Sequence, residues 1–100
     1  MALTGSPLGA LVAQRRDEIV ALVLQHKARS IAVFGSVARG EATETSDVDF
    51  LVEFEPNSSL VDLVHLEDAL RSLLGTNVDV ISTGALLERD DEIRRDAIVL

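Results

Sequence analysis

The sequence predicts an α/β (α+β) fold: a small mixed β-sheet with flanking helices, in the order αβ(turn)βαβα. Three observations predict it. Apolar residues recur at helical spacing at the start, the middle and the end of the chain. Between those stretches lie three apolar runs of strand length, each closed by a glycine, a proline or a polar turn. The length of 100 residues with 47% hydrophobic and only 3% aromatic side chains suits one domain, residues 1–100, with an aliphatic core.

After a short leader of small residues, Leu8, Leu11, Val12, Ile19, Leu22 and Val23 mark the first helix, with Pro7 suited to its first turn. Ser30 to Phe34 reads as a buried strand that stops at Gly35. Residues 36–46 are small and polar, a turn or short helix followed by a loop. Asp47 to Phe54 reads as a second strand, with Val48, Phe50, Val52 and Phe54 on one face and Asp47, Asp49, Leu51 and Glu53 on the other. Pro56-Asn57 breaks it. Ser59 with Asp62 resembles a capping box, Leu60 to Leu74 supplies an apolar stripe, and Gly75 terminates that helix. Its apolar residues outnumber what one sheet face needs, which reserves part of them for a partner. Val78 to Ile81 is the third strand. A last helix is expected from about Ala85 to Ile98, with Leu86, Ile93, Ala97 and Leu100 along one side and pairs such as Asp91 with Arg95 on its solvated face.

Composition excludes several functions. With 17 acids against 9 basic residues, the net charge of −8 opposes a broad nucleic-acid footprint, and the scarcity of rings opposes base stacking. No cysteine is present, which excludes disulfides and thiolate metal sites. Met1 to Ala10 carries no basic residue ahead of an apolar run, and no stretch has the length of a membrane span. The expectation is a cytoplasmic protein.

The chemistry is concentrated in the acids. Between Gly40 and Leu70 lie nine acids and no Lys or Arg. Most can spread into solvent, but Asp47 and Asp49 cannot separate, because residues i and i+2 of a strand point the same way. Two such charges ~4 Å apart repel by about 4 kcal/mol at an effective dielectric of ~20. Solvent, a proton or a cation relieves that repulsion. An apolar strand as their setting favours the cation, and Asp79, flanked by Val78 and Val80, supplies a third carboxylate from another strand. Oxygen ligands without cysteine or paired histidine suit Mg²⁺ or Mn²⁺. Two such ions ~3.5–4 Å apart serve phosphoryl transfer. Gly35 ends a buried strand where the backbone turns sharply, and Ser36 opens a turn whose N–H groups and hydroxyl hold phosphate oxygens. Carboxylates and phosphate cradle together describe a nucleotide site.

Phe34-Gly35-Ser36-Val37-Ala38-Arg39-Gly40 followed by Ser46-Asp47-Val48-Asp49 resembles the Gly-Ser, ten residues, Asp-x-Asp pattern of the DNA polymerase β-like nucleotidyltransferases, and the short chain resembles their minimal members. The resemblance covers about Ser30 to Ser82. It implies that Asp47, Asp49 and Asp79 are catalytic metal ligands, that Asp79 also helps activate the acceptor hydroxyl, and that Gly35 and Ser36 contact the phosphates of the nucleotide. It further implies Mg²⁺ (or Mn²⁺) as cofactor, ATP as substrate, and a partner: a helical HEPN-domain RNase toxin encoded by a neighbouring gene. In that reading the chain is an antitoxin that transfers AMP to a hydroxyl of the toxin, a tyrosine foremost, within a hetero-oligomer. Larger members carry a further domain that grips base or acceptor; no such segment is recognisable here, which points to an acceptor supplied by the partner.

Two alternatives stand beside it. Nucleotide addition to tRNA would make the chain a toxin, against its net charge. A non-catalytic antitoxin acting by occlusion would not need the intact Gly-Ser and acid pair. Arg39 reads as a structural cation that fixes the loop, and His26 and His65 as ordinary surface histidines, since neither fits a ligand spacing.

Overall fold

The computed structural model describes residues 3, 5–43, 45–85 and 91–100. Helices α1 (Pro7–Gln14) and α2 (Arg16–Gln25) are followed by strand β1 (Ala28–Phe34), the short helix α3 (Gly35–Ala38), β2 (Val48–Phe54), α4 (Leu60–Leu74) and β3 (Val78–Ser82). A 3₁₀ turn (Thr83–Ala85), α5 (Asp91–Asp96) and β4 (Ile98–Val99) complete the chain. The sheet order is β3-β2-β1-β4, with β2 and β3 parallel and both partners of β1 antiparallel to it. A parallel pair requires a crossover, and α4 provides it.

The two faces of the sheet follow the alternation in the sequence. Val48, Phe50 and Val52 are fully buried under the helical layer, with Ile31, Val33, Val78 and the helical residues Val12, Ile19, Val23, Leu66 and Leu70. The opposite face carries a smaller cluster of Ala32, Phe34 and Leu51, against which Ile81, Ile93 and Ala97 pack. Helix α4 begins as expected: the Asp62 carboxylate accepts the Ser59 N–H at 2.9 Å, and Gly75 ends the helix with φ 67°.

Three expectations need correction. The first helix is two, since the chain bends at Arg15 (φ −97°, ψ 11°). Its stripe survives the bend, with Leu8, Val12, Ile19 and Val23 all buried. Of the leader, on whose packing the sequence made no prediction, Leu3 is buried, Ser6 caps α1 by accepting the Gly9 N–H at 3.1 Å, and a Cβ on Gly5 would stand 2.8 Å from the Gly40 Cα. The second strand starts at Val48, so Asp47 precedes it.

The expected last helix is the largest departure. Among the described residues of that stretch, Asp91–Asp96 is helical, and the chain then forms β4, pairing Val99 with Ala32 and Ile98 with Val33. An open edge of β1 offers more to two β-branched residues than another helical turn does. The expected apolar side divides accordingly. Ile93 and Ala97 join the small cluster, Leu100 joins the main core, and Leu86 lies outside the described residues. Asp91 pairs with Arg94 at 3.3 Å, in place of Arg95.

Candidate active site

The register of the sheet builds the site. Phe34 of β1, Asp49 of β2 and Asp79 of β3 occupy one row across three strands. Asp49 lies between Val48 and Phe50, which are both fully buried on the helical side, so its own side chain faces the other way. Asp47, two residues earlier, is exposed at the entrance to β2. The turn before it is tied: the Thr43 N–H donates to Ser46 Oγ at 2.9 Å, and the Val48 N–H donates to the Asn77 carbonyl at 3.0 Å, closing β2 and β3 together just ahead of the acids.

Immediately after Phe34 in this row comes Gly35, with φ 71°. A Cβ there would lie 2.6 Å from Asp49 Oδ2. Both the left-handed conformation and the close approach therefore demand glycine. The same contact joins the two halves of the motif, since the turn that opens α3 lies against the Asp49 carboxylate. The N–H groups of a first helical turn have no carbonyl one turn earlier to accept them, and Ser36 stands at that position.

Electrostatics confirm the crowding. The carboxyl of Asp49 is pushed above its ordinary pKa, first by burial and then by the negative charges of Asp79 and Asp47, while Arg39 pulls the other way. Arg39 is held on the surface by Asp96 at 3.3 Å and Glu41 at 3.4 Å, contacts that raise its own pKa. It thereby links the loop after α3 to α5.

A bracket that sequence reasoning missed holds Asp79. Strand β3 is an edge strand, and the backbone groups on either side of Asp79 face away from β2. Glu67 of α4 accepts the Val80 N–H at 3.0 Å. Arg71 donates to the Val78 carbonyl at 3.1 Å and to Glu67 at 3.0 Å. The polar edge around Asp79 is thus closed by one acid–base pair. The only sequence signal was the i,i+4 spacing of Glu67 and Arg71, which ordinarily marks a solvated helix face.

In donor chemistry the acids fit a hard divalent cation: three carboxylates, two of them in register, with no thiolate nearby. Among the described residues no three His, Asp or Glu side chains are drawn together into a ready cage. The acids are electrostatic neighbours, since the charges of Asp79 and Asp47 both act on Asp49.

A carboxylate row against a glycine turn at the end of a buried strand defines a protein built for nucleotidyl chemistry. Residues 16–99 match the nucleotidyltransferase domain family. The chain belongs to that family. It is 44% identical over 78 residues to the protein adenylyltransferase MntA of Thermococcus cleftensis, an overlap of 70% of this chain and 79% of that one. A Methanocaldococcus jannaschii protein provisionally named as a protein adenylyltransferase is 44% identical over 71 residues, 71% of this chain and 76% of its own. Among solved structures, a protein described as a candidate minimal nucleotidyltransferase superposes with a TM-score of 0.82 at 46% identity, covering 93% of this chain and 95% of that chain. The MNT antitoxin bound to the tri-AMPylated HEPN toxin of Shewanella oneidensis shares the fold, with a TM-score of 0.66 at 18% identity over 87% of this chain and 69% of that chain. No helix among the described residues is long and apolar enough to cross a membrane.

Proposed function

We propose that this chain is an antitoxin that transfers AMP from ATP to a tyrosine hydroxyl of a HEPN-domain toxin encoded beside it, and so neutralises that toxin. The observation that carries the reading is the row of Asp49 and Asp79 with Gly35 pressed against the Asp49 carboxylate. The name of the Thermococcus relative and the composition of the Shewanella complex support it. Residues 1–100 act as one domain, in the cytoplasm, within a hetero-oligomer that includes the partner.

In this reaction the acceptor oxygen forms a bond to the α-phosphorus of ATP, the bond from that phosphorus to the bridging oxygen breaks, and pyrophosphate leaves. Gly35 and Ser36 hold the phosphates at the turn. Asp79, the more open of the two acids in register, takes the proton of the acceptor hydroxyl. Asp47, Asp49 and Asp79 would hold Mg²⁺ (or Mn²⁺), which when bound neutralises phosphate charge and polarises the phosphoryl group. The experiment is incubation of the chain with labelled ATP, Mg²⁺ and the neighbouring gene product. Label on a tyrosine of the partner is expected, and Asp47→Ala should abolish it. Absence of transfer, or transfer undiminished in that variant, refutes the proposal.

A further inference from the structure

A concavity of about 310 Å³ lies away from the acid row, where α2 overhangs the β4 edge of the sheet. Its floor is apolar and buried: Val23, Ile31 and Leu100 are 2%, 2% and 8% exposed. Its rim carries two large apolar side chains turned to solvent, Leu24 at 68% and Val99 at 71%. Strand β4 pairs with Ala32 and Val33 of β1, and the Leu100 N–H donates to the Ile31 carbonyl at 3.0 Å; among the described residues no strand pairs with the Arg29–Ser30 end of that edge, which can take extended backbone.

The charge here is opposite to that of the rest of the chain. Of the described Lys and Arg residues, Arg15, Arg39, Arg71 and Arg94 form ion pairs with acids. Arg16, Lys27, Arg29 and Arg95 do not; of these, Arg16 donates its Nε–H to the Leu100 main-chain oxygen at 2.7 Å, while Lys27 and Arg29 are exposed beside the groove. Arg16 and Arg29 line it and Lys27 lies two residues away in the chain, while Asp17 is the one acid in its lining. A chain of net charge −8 that leaves two cations, Lys27 and Arg29, beside exposed leucine and valine is complementary to a ligand both apolar and acidic. No aromatic side chain lines the groove for base stacking, which disfavours RNA.

We infer that this groove anchors an extended segment of the partner protein, in which an apolar side chain is flanked by carboxylates. The identity of that partner rests on the function proposed above. Along β1 the groove stands about 17 Å from Gly35, five residues at ~3.4 Å each. A partner held there keeps its acceptor hydroxyl free to reach the acid row.

The test combines hydrogen exchange with charge reversal. Adding the partner to the wild-type chain should protect amides in residues 16–31 and 98–100. The double variant K27E/R29E should bind the partner about tenfold more weakly or worse, with a reduced dependence on salt. Its melting temperature and ATP binding should stay unchanged, since both side chains are exposed. Val61→Asp, at an exposed apolar position on α4, should bind as the wild type does. Full binding by K27E/R29E, or protection confined to α4 with binding lost in Val61→Asp, overturns the inference. So does RNA binding by the wild type that K27E/R29E abolishes. A wild-type chain that neither binds nor labels the partner removes the proposed function as well.

Discussion

Strand β2 presents two surfaces with opposite physical demands. On the helical side, Val48, Phe50 and Val52 are sealed from water. On the other side, Asp49 alternates with them through the same backbone, and Asp47 stands just ahead of the strand. One face gains from excluding water and the other keeps charges together at a cost to the fold. Because strand side chains alternate with period two, a single slip of register would exchange the two faces, so the core fixes where the acids stand. Stability and chemistry are separate in side chains yet inseparable in backbone.

Neighbouring residues should break that comparison in opposite ways. Asp49→Asn should lower AMP transfer by about a thousandfold, ~4 kcal/mol in the barrier, while the protein stays folded. Phe50→Ala should cost about 3–5 kcal/mol of stability through the cavity it leaves. Its remaining folded fraction should still transfer AMP. Transfer kinetics at a temperature where both variants are folded, with denaturant melts alongside, separate the two effects. Equal loss of rate in both variants would mean that the faces are not independent.

Gly35 sits where the two demands meet, and Gly35→Ala sharpens the contrast. The left-handed backbone costs an alanine about 1–3 kcal/mol. Its methyl would also displace Asp49 Oδ2, which the added Cβ approaches to 2.6 Å. Transfer should therefore fall further than the loss of stability alone accounts for, and weaker ATP binding in a titration of the folded variant would locate the damage at the turn.

These contrasts also explain how far the sequence could be read. Alternation in Val48 to Phe54 assigned each residue to its face, and Gly35-Ser36 with Asp47 and Asp49 marked the candidate site, because local rules govern both. Residues that act through distant partners were not legible. Ile98-Val99 becomes a strand only because β1 has an open edge, and Gly5 matters only because Gly40 comes back against it. The row of Asp49 beside Asp79 lies between these cases. The sequence proposed that the two acids meet, and the parallel register that aligns them is a property of the assembled sheet.

The bracket on β3 offers a smaller test. Glu67→Ala removes the acceptor of the Val80 N–H and frees Arg71 from its strongest partner, at a cost of about 1 kcal/mol. Glu67→Gln keeps a carbonyl oxygen in place and should restore most of the loss. If the bracket positions Asp79, Glu67→Ala should lower kcat more than it raises KM for ATP, and exchange of the Val80 amide should quicken. Unchanged kcat with faster exchange would reduce the bracket to edge protection alone.

The least conspicuous effect tests the premise that the acids burden the fold. Folding raises the pKa of Asp49, so across the interval between its unfolded and folded values the native state holds more proton than the unfolded chain. Stability then falls as pH rises through that interval, opposite to the behaviour of an acid stabilised by a cation partner. Other carboxylates titrate there too, so the informative quantity is the difference between wild type and Asp49→Asn in denaturant midpoint, followed from the ordinary carboxylate range to neutrality. The asparagine variant should gain on the wild type as pH rises and be the more stable at neutral pH, because it carries no charge for Asp79 and Asp47 to repel. If the wild type instead gains on the variant, Asp49 is already neutralised by a neighbour within the chain, and the repulsion that makes these acids a receptacle for a cation does not exist.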